Sequence, residues 1–292
     1  MPKNLNTPLV SVIIPTYNRA WTLKKAIDSV LDQDYKNFEL IVVDDGSTDD
    51  TEALIKTYEK SIKVIQQPNN LGVSAARNKG ISVSSGSLIA FLDSDDSWYP
   101  KKLSTQVEFF NANPDALICQ TEEVWIRDGK KVNPKKKHQK LSGMIFIPSL
   151  ALCLVSPSAV MMRKNLFAKV DGFDESLPAC EDYDLWLRIT CRYPVHLIDT
   201  PLIIKTGGHE DQLSSTIGLD KYRIYALKKI LRSDFLTEKQ YRAAENMLKK
   251  KCRIYADGCM KHGRKTVAMY YSRLAEEIED KEQKVDSPKT KD

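Results

Sequence analysis

Two rhythms of apolar residues alternate along the first third of the chain. Leu9–Ile14 is an almost unbroken β-branched run, which predicts a strand covered on both faces and ended by Pro15. From Leu23 to Leu31 the spacing turns helical, with Leu23, Ala26, Ile27, Val30 and Leu31 on one side. Phe38–Val43 reads as a second buried strand, and Asp49 with Glu52 suits a capping box for a helix that turns Leu54, Ile55 and Tyr58 inward. Ile62–Ile65 reads as a third strand, Gly72–Val83 as a helix favoured by Ala75, Ala76 and Lys79, and Leu88–Leu92 as a fourth strand. This alternation predicts an α/β fold: a mostly parallel sheet with helices on both faces. Ligands of such sheets collect beyond the carboxyl ends of the strands. Those ends carry Thr16-Tyr17-Asn18, Asp44-Asp45 and Asp93-Ser94-Asp95-Asp96.

Further along, Leu103–Phe110 is amphipathic, Ala116–Ile126 contains a strand, and the basic stretch Lys130–Lys140 reads as a loop or hairpin tip. Val160–Met162, Val195–Ile198 and Ile203–Lys205 read as short strands, and Leu185–Ile189 lies in a helix. The texture changes at Leu219: to Asp280 the chain is rich in Lys, Glu, Ala and Leu, without strand signals. Two or three helices are expected there, broken near Ser233-Asp234 and Gly263, with Leu227, Ile230 and Leu231 on one face and Ala268, Tyr271 and Leu274 on another.

An apolar fraction of 42% over 292 residues allows a substantial core. Net charge is +5, and the surplus is concentrated: residues 219–292 hold 19 Lys+Arg against 12 Asp+Glu. That basic region suits contact with an anionic surface, or is a solvated helical exterior. The six cysteines form no CxxC pair and are spaced too widely for a zinc site, so free, mostly buried thiols in a reducing compartment are expected. No secretory signal is visible, and the longest apolar stretch, Met144–Met162, is broken by Pro148, Ser149, Ser156, Pro157 and Ser158. A cytoplasmic protein is expected, with peripheral attachment at the inner face of the membrane left open through the basic C-terminal region. The run Lys135–Lys140 lacks interleaved aromatic residues, so nucleic acid is not an expected partner.

The acidic residues carry the chemistry. Asp93, Asp95 and Asp96 crowd three carboxylates into four positions after a buried strand. Such carboxylates repel unless protonated or neutralised, and their hard oxygens suit Mg²⁺ or Mn²⁺ with further ligands from substrate phosphates. Of Asp44 and Asp45, one fixes the turn and the other is left to accept a hydrogen bond from a base or ribose. Tyr17 either stacks on a base or packs half-buried, and Arg77 either approaches a nucleotide or sits on a helix surface. Glu181, Asp184 and Arg188 have helical ion-pair spacing, which leaves Asp182, at a helix start, to serve as a general base. Gly207-Gly208 precede His209, which either approaches a metal or diphosphate or is structural.

In order, Val10–Asn18, Gln33 with Phe38–Asp49, Asn70–Asn78 and Phe91–Leu103 resemble the motifs of the large family 2 of inverting glycosyltransferases with the GT-A fold, with coverage from residue 9 to residue 215. The resemblance implies a GT-A-like catalytic domain over 1–218, while the change of texture predicts a helical C-terminal region over 219–282 and a flexible tail over 283–292. It implies a metal-dependent inverting hexosyltransferase that moves a sugar from a nucleotide-sugar donor, UDP-linked by preference, to the hydroxyl of a saccharide or glycolipid acceptor. It places Tyr17, Asp45 and Asp93 at the donor, where Pro15 and Arg77 are further candidates, Asp95 and His209 at a Mn²⁺ or Mg²⁺ ion, and Asp182 as catalytic base. Two rivals remain at this stage: a nucleotidyltransferase, which would release pyrophosphate, and an inactive carbohydrate-binding or peripheral membrane protein of the same fold. Neither GxxxxGK[ST] nor GxGxxG follows the first strand, which disfavours P-loop and dinucleotide enzymes.

Overall fold

The computed structural model describes residues 7–208 and 218–286, with side chains to residue 278. Strand and helix alternate as β1 (Val10–Thr16), α1 (Ala20–Leu31), β2 (Phe38–Asp44), α2 (Thr51–Lys56), β3 (Lys63–Gln66), α3 (Val73–Val83) and β4 (Leu88–Phe91). Then come β5 (Ser97–Trp98), α4 (Lys102–Ala112), β6 (Ile118–Arg127), β7 (Lys130–Val132), α5 (Phe146–Ser149), β8 (Val160–Arg163), α6 (Asn165–Val170), α7 (Glu181–Thr190) and β9 (His196–Gly207). Three helices close the described chain: α8 (Asp220–Ile230), α9 (Glu238–Lys261) and α10 (Lys265–Asp286).

The strands form one sheet in the order β3-β2-β1-β4-β8-β6-β9-β5, with β7 hairpinned onto β6. The β3-β2-β1-β4 half is wholly parallel. In the other half β8 runs antiparallel between β4 and β6, while β6 and β9 form a long parallel ladder. The α/β architecture expected from the alternating rhythms is therefore present. Period-two alternation assigns each β1 side chain to a face: Val10, Val12 and Ile14 enter one core with α1, α2 and α4, and Ile13 enters the other with α3, α6 and α7.

Helix α7 is apolar on two sides. Leu185, Trp186 and Ile189 face the sheet, whereas Tyr183 and Leu187 join a third core with Phe146 of α5 and residues of α8, α9 and α10. The C-terminal helices thus dock on the back of the helix whose first turn carries Asp182. A reciprocal capping box between Thr237 and Gln240 sets the start of α9.

Several boundaries differ from expectation for identifiable reasons. Pro15 does not end β1, which continues to Thr16. Ile13 faces β4, accepting from Leu92 N–H, and Thr16 faces β2, accepting from Asp45 N–H. Pro15 therefore faces the β4 side beyond that strand's last partner, where no N–H is required. Asp49 does not form a box with Glu52, which pairs with Lys56 instead. Its carboxylate accepts from Thr51 N–H at 3.0 Å and from Ala20 N–H at 3.2 Å, joining the starts of two helices. The two late strands are one strand, β9, bulged where its register against β6 shifts beside Glu122. All six cysteines are free, and no described helix is long and apolar enough to cross a membrane.

One cation lies inside the first core. Lys102 of α4 is 0% exposed, donates to Gln106 Oε1 at 2.6 Å and sits 3.9 Å above the Trp98 ring. Burial pushes its ammonium down to about 7. Between that value and the ordinary 10.5 the unfolded chain holds a proton that the folded protein does not, so stability rises with pH across this window. Lys102→Met removes the dependence. Relative to that variant, the wild type is expected to gain about 2–3 kcal/mol between pH 6 and pH 9 in urea melts.

Candidate active site

The loops at the carboxyl ends of β1 and β2 are laced together. Asn18, held at a φ of 51°, donates its N–H to Ser47 Oγ at 2.9 Å and accepts from Thr48 N–H at 2.8 Å. Arg19 N–H donates to Thr51 Oγ1 at 3.1 Å. Asp44 fixes the turn: its Oδ1 accepts from Ser47 N–H at 3.0 Å. Its Oδ2 and the neighbouring Thr16 Oγ1 are buried and make no hydrogen bond to the protein. Asp45 points to the segment before α3, accepting from Leu71 and Gly72 N–H at 2.8 Å each and from the Gln67 amide. Gly46 has a φ of +74°, and a Cβ there would meet the Asn69 backbone at 2.7 Å, so only glycine lets that segment close. Tyr17, 41% exposed, stands at the rim of this region.

The acidic turn after β4 is divided by its partners. Asp96 is 3% exposed; it accepts from Ser158 Oγ at 2.7 Å and from Thr206 N–H at 3.0 Å. Burial, then the Asp95 carboxylate, raises its pKa well above the usual carboxylate range. Asp93 and Asp95 are half-buried. One oxygen of Asp93 accepts from the Arg77 guanidinium at 2.7 Å.

Arg77, 3% exposed, is neither a helix-surface cation nor open to solvent. Its other terminal nitrogen meets Glu181 Oε1 at 2.6 Å, and the Phe173 ring lies 5.1 Å from its guanidinium carbon. It joins the end of β4 to the first turn of α7. The expected local pairing is accordingly split: Asp184 does pair with Arg188 at 2.6 Å, while Glu181 is taken by Arg77. Asp182 follows Glu181. Its Oδ1 accepts from Tyr183 N–H at 2.7 Å, and its Oδ2 accepts from the Cys153 thiol at 3.4 Å. Burial and the Asp182 charge both raise the Cys153 pKa, so this partner is a neutral S–H.

Lys205 on β9 is the cation that sequence reasoning missed. Burial alone would lower its pKa, but Glu123, Asp96, Asp93 and Asp182 outweigh that and hold it above its ordinary value. Its charge is therefore felt by Asp93, Asp96 and Asp182 as well as by Glu123. Nothing in the sequence separates this lysine from the end of an ordinary strand; only the sheet order places β9 beside the acidic turn. Ser158, which also accepts from Asp93 N–H at 3.1 Å, lay within the Ser-Pro-Ser interruption and carried no signal either. Gln33, noted as part of a motif, is structural: its amide bonds Ser29 and Tyr99 carbonyls and its oxygen accepts from Leu103 N–H. His209 lies outside the described residues.

Among the described residues no three His, Cys, Asp or Glu side chains gather as a metal cluster. A magnesium-type site built from one or two carboxylates and substrate phosphates does not require such a gathering. Asp96 is turned inward with both oxygens engaged, and one Asp93 oxygen belongs to Arg77. Asp95 and the remaining oxygen of Asp93 are the hard donors that fit such an ion.

Comparison with known proteins finds relatives in sequence and in fold. A family model described as "Glycosyl transferase family 2" matches residues 11–170. An uncharacterized glycosyltransferase of Rickettsia prowazekii is 36% identical over 74% of this chain and 69% of its own length. A UDP-Glc:alpha-D-GlcNAc-diphosphoundecaprenol beta-1,3-glucosyltransferase of Escherichia coli is 35% identical over 62% of this chain and 69% of its own length. Among solved structures, S. aureus TarS 1-349 in complex with UDP-GlcNAc superposes with a TM-score of 0.68 at 22% identity, covering 84% of this chain and 71% of that one.

Removing the Arg77 charge would leave Asp93 and Glu181 without their shared counterion. Arg77→Met is expected to cost about 3–5 kcal/mol in denaturant unfolding.

Proposed function

The chain belongs to glycosyl transferase family 2, and from that premise we propose that it transfers a sugar from a nucleotide-sugar donor to an acceptor hydroxyl in one displacement with inversion. The observation that carries the reading is the Arg77 bridge, which sets the first turn of α7, and with it Asp182, beside the donor-side carboxylate Asp93.

The nucleotide lies beyond the carboxyl ends of β1 and β2. Pro15 carries β1 to its end, Tyr17 offers an exposed ring to the base, and Asp45 shapes the site by holding the segment before α3. The unspent acceptor Oδ2 of Asp44 supports polar recognition in the same region. UDP is the favoured nucleotide, supported by the donor in the E. coli relative's name and the ligand of the TarS complex. Asp95 and Asp93 would hold a divalent cation, with His209 as a further candidate ligand; when bound, it supplies positive charge against the diphosphate. Lys205 adds a fixed positive charge among the same carboxylates.

Asp182 accepts the proton of the acceptor hydroxyl. That oxygen bonds to the anomeric carbon as the bond from this carbon to the diphosphate oxygen breaks, and the nucleoside diphosphate leaves with the electron pair. The neutral Cys153 thiol gives Asp182 a weak hydrogen bond, which orients the carboxylate.

Asp182→Asn is expected to keep UDP affinity while lowering transfer at least about a hundredfold. Calorimetric UDP titration with a product assay reads both, and full activity in that variant would remove Asp182 from its role. Asp95→Ala should abolish the Mn²⁺-dependent part of UDP binding; identical wild-type UDP affinity in Mn²⁺ and EDTA would overturn the cation assignment. Release of pyrophosphate from a nucleoside triphosphate, in place of a nucleoside diphosphate from a nucleotide sugar, would overturn the reaction itself.

A further inference from the structure

A cavity of about 300 Å³ is walled by Leu141, Pro148, Ala151, Leu152 and Leu154, with Lys136, Lys137 and Gln139 completing its lining. Cys153, between two of these residues, is the one that donates to Asp182. The segment that forms one cavity wall therefore also contacts Asp182.

The walls are held in place. Tyr183 Oη donates to Leu150 O at 2.7 Å, fixing the segment before Ala151 to α7. On the opposite wall Gln120 donates to Leu141 O at 3.2 Å, and Lys140 is drawn inward to Glu123 and Gln120 at 3.3 Å each. His138 packs its ring 5.2 Å from Trp125. With His138 and Lys140 committed to β6, Lys136 and Lys137 remain at the cavity lip, exposed and without an ion-pair partner among the described residues.

A largely apolar, pinned cavity lined also by two ammonium groups that are unpaired among the described residues suits a ligand that is hydrocarbon at one end and anionic at the other. A bare saccharide would leave its hydroxyls against five apolar walls. A bilayer surface would meet a convex amphipathic face better than a concavity. Resting on the glycosyltransfer reading, we propose that this cavity takes the hydrocarbon chain of the acceptor, with Lys136 and Lys137 holding the phosphate that joins the chain to the acceptor saccharide. The saccharide then extends from the phosphate toward Asp182.

The test uses farnesyl diphosphate as the probe, with the donor site saturated by UDP and Mg²⁺ so that the diphosphate cannot bind there. Wild-type protein is expected to bind it, and binding should weaken at least about tenfold in Lys136→Ser/Lys137→Ser, through lost charge-assisted contacts. Ala151→Trp, a substitution at an exposed position that fills the cavity, should weaken it similarly while UDP affinity is unchanged in both variants. Farnesol and inorganic diphosphate, each lacking one half of the ligand, should bind more weakly than farnesyl diphosphate. Equal binding of farnesyl diphosphate to wild type and both variants would overturn the proposal. So would lysine-dependent binding to phosphatidylcholine–phosphatidylglycerol vesicles without binding of soluble farnesyl diphosphate. Normal UDP binding with no farnesyl diphosphate binding sinks the cavity assignment alone, whereas absence of UDP binding by the wild type sinks the glycosyltransfer reading.

Discussion

A buried guanidinium between two carboxylates is the constraint on which the site depends. Arg77 comes from α3, Asp93 from the end of β4 and Glu181 from the start of α7, so three elements distant in sequence meet at one charge. Either carboxylate alone would be costly to bury beside the apolar Phe173 and the sheet. The guanidinium suits both because its planar fork offers separate nitrogens in fixed directions, which a lysine does not. Geometry then follows by adjacency: Asp95 lies two residues beyond one partner and Asp182 one residue beyond the other.

Most of the scaffold was legible because its signals are local. Apolar runs gave β1, β2 and β4, helical spacing gave α1 and α4, and the breaks near Ser233 and Gly263 fall between α8, α9 and α10. Errors arose where a local rule met a non-local partner. Pro15 resembled a terminator because nothing in the sequence says that β4 ends before reaching it. Asp49 resembled a cap for one helix and instead serves two. The acidic positions were legible as a set, but not their division of labour. Asp96 is consumed by Ser158 and Thr206, whose approach depends on β8 and β9 being threaded into the sheet. Lys205 was invisible for the same reason.

Helix α7 couples the two halves of the molecule through its opposite faces. Leu185, Trp186 and Ile189 seat it on the sheet, while Tyr183 and Leu187 receive the C-terminal helices. The position of Asp182 is thus set by apolar packing from two directions and by the neighbouring ion pair. Tyr183 also anchors the segment that leads to Cys153, so the same helix orders both Asp182 and the chain that contacts it.

The lacing of the loops after β1 and β2 has a consequence for the thermodynamics of ligand entry. Asn18, Ser47, Asp45 and Gly46 fix these backbones against one another through contacts within the protein. The conformational entropy of those residues is surrendered when the chain folds, not when the ligand arrives. A ligand entering beyond the ends of β1 and β2 meets a preorganised wall, and its heat of binding carries little contribution from loop ordering.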